Sequence, residues 1–275
     1  MVAAWALAKR EVVRFFRQRN RVIGAIGQPL LFWLLFGAGL QRSFRLSPTG
    51  EQGPTFLEYY FPGTLVLILL FTAIFATISV IEDRREGFLQ SVLVAPAPRW
   101  AMVLGKVTGG AAIAVFQGLI FLVLALTLEV AITPASFLAL AVLLTLTALA
   151  LTSLGFVLAW RMDSTQGFHA IMNLLLMPMW LLSGAFFPVP AVSAGGPWSQ
   201  WFMHVAMRAN PLTYAVSGVR QSLYWGDSSS LAIDTQLFWT PSLPVCWIVT
   251  VVFAIVAFTG AWRIAGRRTT GDLLS

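Results

Sequence analysis

The stretch 59–81, YYFPGTLVLILLFTAIFATISVI, contains no Asp, Glu, Lys or Arg. About 20 helical residues are enough to cross the hydrocarbon core of a bilayer, which is roughly 30 Å thick. Five more charge-free stretches are as long or nearly so: 22–41, 107–128, 130–160, 164–207 and 235–262. Because one charge at mid-membrane costs about 2.5–3.5 kcal/mol on insertion scales, these stretches predict an all-α membrane protein. We place six transmembrane helices at about 22–40, 60–81, 103–127, 137–160, 168–187 and 243–262.

Composition and charge placement agree with this prediction. Hydrophobic residues make up 58% of the chain, against roughly 45–50% in soluble domains. The net charge of +7 does not indicate nucleic acid, because 14 of the 18 Lys and Arg lie in four segments. These segments are 1–21, 82–106, 161–168 and 263–275. Since cytoplasmic loops accumulate Lys and Arg, we predict a multi-pass protein of the cytoplasmic (inner) membrane with both termini in the cytoplasm.

The region 191–234 is predicted to lie outside. Its segment 198–225 is partly apolar but contains Arg208 and Arg220. A seventh span there would move the basic C-terminal tail outside, against the charge rule. We therefore predict a short outward-facing or re-entrant helical hairpin that is broken at Asn210-Pro211.

Residues 1–21 are predicted to form an amphipathic helix at the membrane surface. Arg10, Arg14, Arg17 and Arg21 recur on one helical face, and Trp5 lies among the apolar residues largely on the other. Such a helix can place its apolar side in lipid and its cations on anionic headgroups, which makes membrane lipid a predicted partner. The alternative is a simple basic anchor.

Residue patterns typical of enzymes are mostly absent. His169 and His204 are far apart without nearby carboxylates, and the single cysteine, Cys246, lies within the last span. Gly105-Lys106 is not part of a phosphate-binding GxxxxGK[ST] loop. We predict no catalytic site, no metal and no cofactor bound by this chain, so energy for transport has to come from a separate subunit.

The segment 82–98 is the most charged one between spans. Leu89, Val92 and Leu93 form an apolar stripe at helical spacing, and Pro96 and Pro98 end it. The pattern predicts a short amphipathic cytoplasmic helix. The residues alone leave open whether its stripe lies on the membrane or in the groove of a soluble partner.

Several stretches carry a family resemblance. They are RREGFLQSVLVAP at 84–96 followed by LGK at 104–106, LSGAFFP at 182–188, and NPLTYA at 210–215 with Arg220, together with Pro62-Gly63 and the basic start. In this order and spacing the chain resembles the permeases of ABC type-2 exporters over nearly its whole length. It departs from the family at Phe88, where Thr or Ser is frequent, and at Gln90, where an acid is frequent.

The resemblance implies one permease domain over 1–275 that pairs with a second copy, identical or not. It implies a cytosolic ABC ATPase that holds ATP and Mg. Residues 1–21 would be the connecting helix, and 82–98 the coupling helix that fits a cleft of the ATPase. The coupling residues would be Glu82, Asp83, Arg84, Arg85, Glu86, Gly87, Leu89, Leu93 and Pro96. Those of the external hairpin would be Asn210, Pro211, Tyr214 and Arg220.

The resemblance also implies a substrate path lined by the first, second and fifth spans. The candidates there are Phe32, Phe36, Phe71, Phe75, Met172, Asn173, Met177 and Trp180. Aromatic and Met side chains suit hydrophobic or amphipathic cargo, whereas for each residue core packing or lipid contact is the alternative. An amide in an apolar span usually faces protein or a cavity, which singles out Asn173.

The predicted function is export of a drug-like, lipid-like or lipid-linked saccharide molecule across the cytoplasmic membrane. The alternative is a membrane scaffold or assembly subunit that is not coupled to an ATPase. An intramembrane enzyme is excluded because the spans hold no paired catalytic residues.

Overall fold

A computed structural model describes residues 1–40, 55–94, 98–128, 130–192, 197–225 and 238–266. Within these ranges the chain is helical and forms no strand. The helices are α1 (Val2–Arg17), α2 (Arg19–Leu40), α3 (Phe56–Arg85), α4 (Phe88–Val94), α5 (Arg99–Leu122), α6 (Pro134–Trp160), α7 (Thr165–Trp180), α8 (Trp198–Ala209), α9 (Pro211–Leu223) and α10 (Leu243–Gly266). A 3-10 helix, Val123–Leu128, extends α5, and a π-helical turn, Leu181–Ala185, extends α7.

The six predicted spans are confirmed as helices. Six helices are long and apolar enough to cross a membrane: α2, α3, α5 with its extension, α6, α7 with its extension, and α10. α3 is longer than predicted at both ends: it continues to Arg85, and a capping box starts it at Phe56. The Thr55 hydroxyl accepts a hydrogen bond from Glu58 N, and the Glu58 carboxylate accepts one from Thr55 N at 2.8 Å.

α3 is the central helix of the molecule. In its most apolar 18-residue window 94% of the residues are buried, against 22% in α2 and in α10. Small residues let its neighbours approach closely. A Cβ on Gly155 of α6 would lie 2.8 Å from the Thr77 hydroxyl, and one on Gly110 of α5 would lie 3.1 Å from Ala76 Cβ. A charge in the middle of α3 would therefore be buried in protein rather than in lipid.

The remaining elements gather at the two ends of α3. At the Arg85 end lie α1, which is bound to Asp83, and α4. The last turn of α10 is also near, because Arg99 at the start of α5 donates to Ala265 O at 3.1 Å. The α8–α9 pair lies at the opposite end of α3, where Arg220 donates to Tyr59 O at 3.3 Å. The hairpin and α4 thus lie at opposite ends of the helix bundle.

The break predicted at Asn210-Pro211 is confirmed. α8 ends at Ala209 and α9 begins at Pro211, and the Asn210 side chain caps α9 by accepting from Leu212 N at 3.0 Å. Residues 193–196 and 226–234 of the predicted external region lie outside the described residues. The position of the hairpin relative to a membrane stays a prediction.

Candidate functional site

The site begins with the turn between α3 and α4. Gly87 has φ +73°, a left-handed conformation that side chains disfavour. A Cβ there would meet nothing closer than Gln90 Oε1 at 4.0 Å. The backbone conformation of the turn is therefore enough to explain why this position is a glycine. Close approach of a partner's backbone to Gly87 stays a prediction.

Two residues of the apolar stripe of α4, Leu89 and Val92, face the chain's own core. Leu89 is 3% exposed, and Val92 packs against the same cluster of buried side chains. The buried Leu89 cannot dock on a membrane or in a partner's groove, and for the partly buried Val92 such docking stays a prediction. Leu89 thus holds α4 in place and offers no surface to a partner. The Leu93 side chain and Pro96 lie outside the described residues.

Among the described side chains, the outer side of α4 and its turn is mostly polar. Arg85, Glu86, Gln90 and Ser91 are exposed, and Val94 is 85% exposed. Single exposed apolar residues are common on protein surfaces, so a contact of Val94 with another protein enters only as a proposal.

A cluster of charges joins α1, α2, α3 and α5 beside α4; we call it the basal charge cluster. Its members are Arg10, Glu11, Arg14, Arg21, Glu82, Asp83, Glu86 and Lys106. Four are cations and four are carboxylates, so the cluster is neutral. A neutral set of this kind can be buried at moderate cost when each charge has partners.

Asp83 is at the centre of the basal charge cluster. It is fully buried, and it accepts two hydrogen bonds from Arg10, at 2.8 and 2.9 Å. Arg14 and Lys106 each donate to it at 2.5 Å. The bidentate contact between Arg10 and Asp83 raises the pKa of Arg10, so the guanidinium stays charged.

Lys106 also forms a buried pair with Glu11. They are 5% and 4% exposed, and Lys106 Nζ lies 2.8 Å from Glu11 Oε1. Sequence reasoning missed both as site residues. A signal was present, since Glu11 is the only acid in residues 1–50 and Lys106 directly precedes a charge-free stretch.

The predicted coupling residues differ in the contacts that they make. Glu82 and Asp83 bind arginines of α1 and α2. Arg84 donates to Trp160 O, and Arg85 donates to Asp163 O at 2.8 Å, at the α6–α7 connection. Glu86 has a side chain that is 60% exposed. Of the acids in this stretch, Glu86 is the one that is open to a partner.

The predicted path residues occupy different environments. Phe71, Met172 and Trp180 are buried, and Trp180 Nε1 donates to Gly63 O at 2.9 Å. Phe32, Phe36, Phe75 and Met177 are half-buried. Tyr60 contacts both Phe36 and Trp180, with ring centroids 6.2 and 6.0 Å apart. Burial indicates a packing role within this chain for the first three, and a lining role stays a prediction for all eight.

Asn173 lies on the outer surface of α7, between Met172, which is buried, and Leu174, which is 73% exposed. The sequence predicted that this amide faces protein or a cavity. Within one chain it faces outward, so a protein or cavity environment for this amide stays a prediction.

At the other end of α3, Arg220 holds the turn that follows α7. Arg220 is 7% exposed and donates to Gly184 O at 2.9 Å, and its guanidinium lies 4.1 Å from the centre of the Tyr59 ring. Tyr59 also donates from its hydroxyl to Gly184 O at 2.8 Å. Gly184 has φ +75°, and the irregular π turn leaves this carbonyl free to accept both bonds. Arg220 is thus a buried cation that binds backbone carbonyls.

The two other predicted hairpin residues have local roles. Pro211 starts α9, where its missing N–H costs nothing. Tyr214 donates to Arg208 O at 3.0 Å and packs edge-on against Trp239.

Comparisons with known proteins agree with this architecture. The model of the family described as "ABC-2 type transporter" matches residues 2–224. A Cyanophora paradoxa protein named transport permease ycf38 is 26% identical over 261 residues, which cover 92% of this chain and 86% of the relative. The "Inner membrane transport permease YadH" of Escherichia coli (strain K12) is 24% identical over 223 residues, 80% of this chain and 82% of the relative. With six membrane-length helices and a family match over most of its length, this chain belongs to the ABC-2 type transporter family of membrane permeases.

Proposed function

We propose that this chain is the membrane permease of an ATP-driven exporter. It dimerises, couples to a separate cytosolic ATPase, and moves a hydrophobic or amphipathic molecule out across the cytoplasmic membrane. Permeases of this family normally pair with an ATPase subunit. The observation that carries the proposal is the arrangement of α4.

α4 is anchored on one side and open on the other. Leu89 fixes it to the core, while Glu86 and Val94 face outward at the end of α3 that holds the basal charge cluster. In the proposal, the ATPase contacts this outward side. A force on α4 would reach the bundle centre directly, because α4 follows α3 after a turn at Glu86-Gly87.

α1 provides a second route for such a force. Its Arg10 and Arg14 hold Asp83 at the end of α3, while Glu11 holds Lys106 of α5. Displacement of α4 by the ATPase would therefore move α1, α3 and α5 together. Ion pairs that are buried and shared in this way behave as one unit.

The proposed second copy would cover α2 and α7. α2 leaves Leu31, Leu34 and Leu35 more than half exposed, and α7 exposes Asn173 beside Leu174. Aromatic residues of the predicted path lie next to these surfaces. An adaptable aromatic and Met lining suits cargo that is drug-like, lipid-like or a lipid-linked saccharide.

The test is gentle purification of a tagged copy from its native membrane, with mass spectrometry of what accompanies it. We expect a stoichiometric ABC ATPase with the unmodified chain. Val94→Asp, on an exposed residue, should lose the ATPase while the protein remains inserted. Val192→Asp is the matched control, because Val192 is 50% exposed and follows α7 at the opposite face of the bundle.

Two results would contradict the proposal. Absence of an ATPase from the unmodified chain in several mild detergents would favour a membrane scaffold. Retention of the ATPase and of ATP-dependent efflux in both Val94→Asp and Glu86→Lys would remove α4 as the contact.

A further inference from the structure

Two arginines, one on each side of α4, bind the ends of helices that are distant along the chain. The first is Arg84, in the last turn of α3. It donates to Trp160 O and, at 3.4 Å, to Met162 O, which are 76 and 78 residues away. Its guanidinium also lies 5.3 Å from the centre of the Trp160 ring. Since Trp160 is the last residue of α6 and only 5% exposed, Arg84 connects α3 to the buried end of α6.

The second is Arg99, the first residue of α5. Its Nη1 donates to Ala265 O at 3.1 Å and to Gly266 O at 3.3 Å, which are 166 and 167 residues further along the chain. Ala265 is fully buried, and Gly266 is the last residue of α10. Arg99 therefore connects α5 to the end of α10. The sequence predicted no role for this arginine.

Contacts of this kind are well suited to holding helix ends. The last four carbonyls of an α-helix have no partner within the helix, and they carry the negative end of its dipole. A cation that donates to them is therefore favourable on both counts. α6 has no basic residue in its own last turn, so Arg84 of α3 supplies the cation. Arginine suits such a link because its donors have a fixed planar arrangement.

We propose that Arg84 and Arg99 are positioning residues that carry a displacement of α4 to α6 and α10. This inference rests on the proposed function, in which the ATPase exerts a force on α4. α3 and α5 precede and follow α4 along the chain, so they are moved by it directly. α6 and α10 have no such covalent link to α4, and the two arginines supply one link to each of them.

α6 and α10 respond as a pair in this proposal, because they pack against each other. A Cβ on Gly260, in the second half of α10, would lie 3.8 Å from Val157 Cγ2, near the end of α6. This is an ordinary van der Waals distance. Closely packed helices transmit strain to each other, so the two arginine links act on one packed unit. Without them, only α3, α5 and the helices that these two contact would follow α4.

The experiment is hydrogen-exchange mass spectrometry of the permease co-purified with its ATPase, with and without ATP and orthovanadate. It needs no cargo. In the unmodified complex we expect ATP to change amide exchange in α4 and also at the ends of α6 and α10. In Arg99→Met the change at the end of α10 should be lost while α4 still responds. In Arg84→Met the change at the end of α6 should be lost.

Arg161→Met and Arg263→Met are the matched controls. Each removes an exposed cation next to the end of α6 or of α10 and leaves the bonds of the two positioning arginines in place, so both should respond to ATP as the unmodified complex does. Arg99→Lys keeps a charged donor and should keep a response in α10 that Arg99→Met loses. If Arg84→Met does not assemble with the ATPase, Arg99→Met tests the proposal by itself.

Two results would overturn this inference alone. One is a response to ATP in α4 of the unmodified complex that does not extend to α6 or α10. The other is an ATP-dependent change that persists at both helix ends in Arg84→Met and Arg99→Met, which would mean that the arginines only cap static ends. An ATPase that does not accompany the unmodified chain, or an α4 that does not respond to ATP, would instead contradict the proposed function itself.

Discussion

At the scale of single residues, the stability of the cytoplasm-facing end proposed here depends on complete pairing of buried charges. Lys106 is held by Glu11 and Asp83 and also lies 3.3 Å from Ser79 Oγ. Removing one member of a buried pair is far more costly than never burying the pair, because the remaining charge has lost both water and partner.

Lys106→Met should therefore lower the free energy of unfolding by about 3–5 kcal/mol. The double variant Glu11→Leu/Lys106→Met should be less destabilised than Lys106→Met, since it removes one of the two carboxylates left without this partner. Denaturant titration of the purified protein measures both. A Lys106→Met protein as stable as the unmodified one would show that the pairing contributes little.

A separate prediction concerns Gly87, because its φ of +73° is unfavourable for any residue with a Cβ. Gly87→Ala should destabilise the isolated permease by about 1–2 kcal/mol, the usual cost of the left-handed conformation. Thermal unfolding without an ATPase measures this. Gly39→Ala, where a Cβ would meet nothing within 4 Å, should cause no loss, and an equal loss in both variants would contradict the argument.

At the scale of elements, Gly105 and Gly109 of α5 leave room for α1 to approach closely. A Cβ on Gly105 would lie 2.6 Å from Ala4 O, and one on Gly109 would lie 2.9 Å from Glu11 Cβ. Close approach here brings Glu11 within reach of Lys106. The small residues and the buried ion pair therefore depend on each other.

Gly105→Ile should displace α1 from α5, because the atom in the way is backbone and cannot move aside. We expect faster amide hydrogen exchange throughout Val2–Arg17 and a lower melting temperature. Gly39→Ile adds the same side chain to α2 in open space and should leave exchange in α1 unchanged. Protection of α1 that persists in Gly105→Ile would show that this contact does not hold the helix.

At the scale of the whole molecule, α4 and the α8–α9 hairpin lie at opposite ends of α3. A bilayer around the bundle would separate them. In a Cys246→Ser background, a cysteine at exposed Ser199 should react with a membrane-impermeant maleimide in intact cells. A cysteine at exposed Ser91 should react only after permeabilisation. Labelling of both sites in intact cells would contradict this topology.

The sequence by itself determined the class, the six spans and the break at Asn210-Pro211. These are local properties: charge is excluded from hydrocarbon whatever its neighbours, and proline cannot donate a backbone hydrogen bond. The sequence did not determine, however, which side of α4 faces the core. In the structure it is the side that carries the buried Leu89.

Only the tertiary structure decided the pairings. Glu11 and Lys106 are 95 residues apart, and Arg220 reaches Gly184 over 36. Hydropathy is the same for a buried ion pair and for a solvated charge, so composition along the chain cannot distinguish them. A charge is neutralised only where an opposite charge on another helix comes within about 3 Å of it. The packing of the helices around α3 decides where this happens.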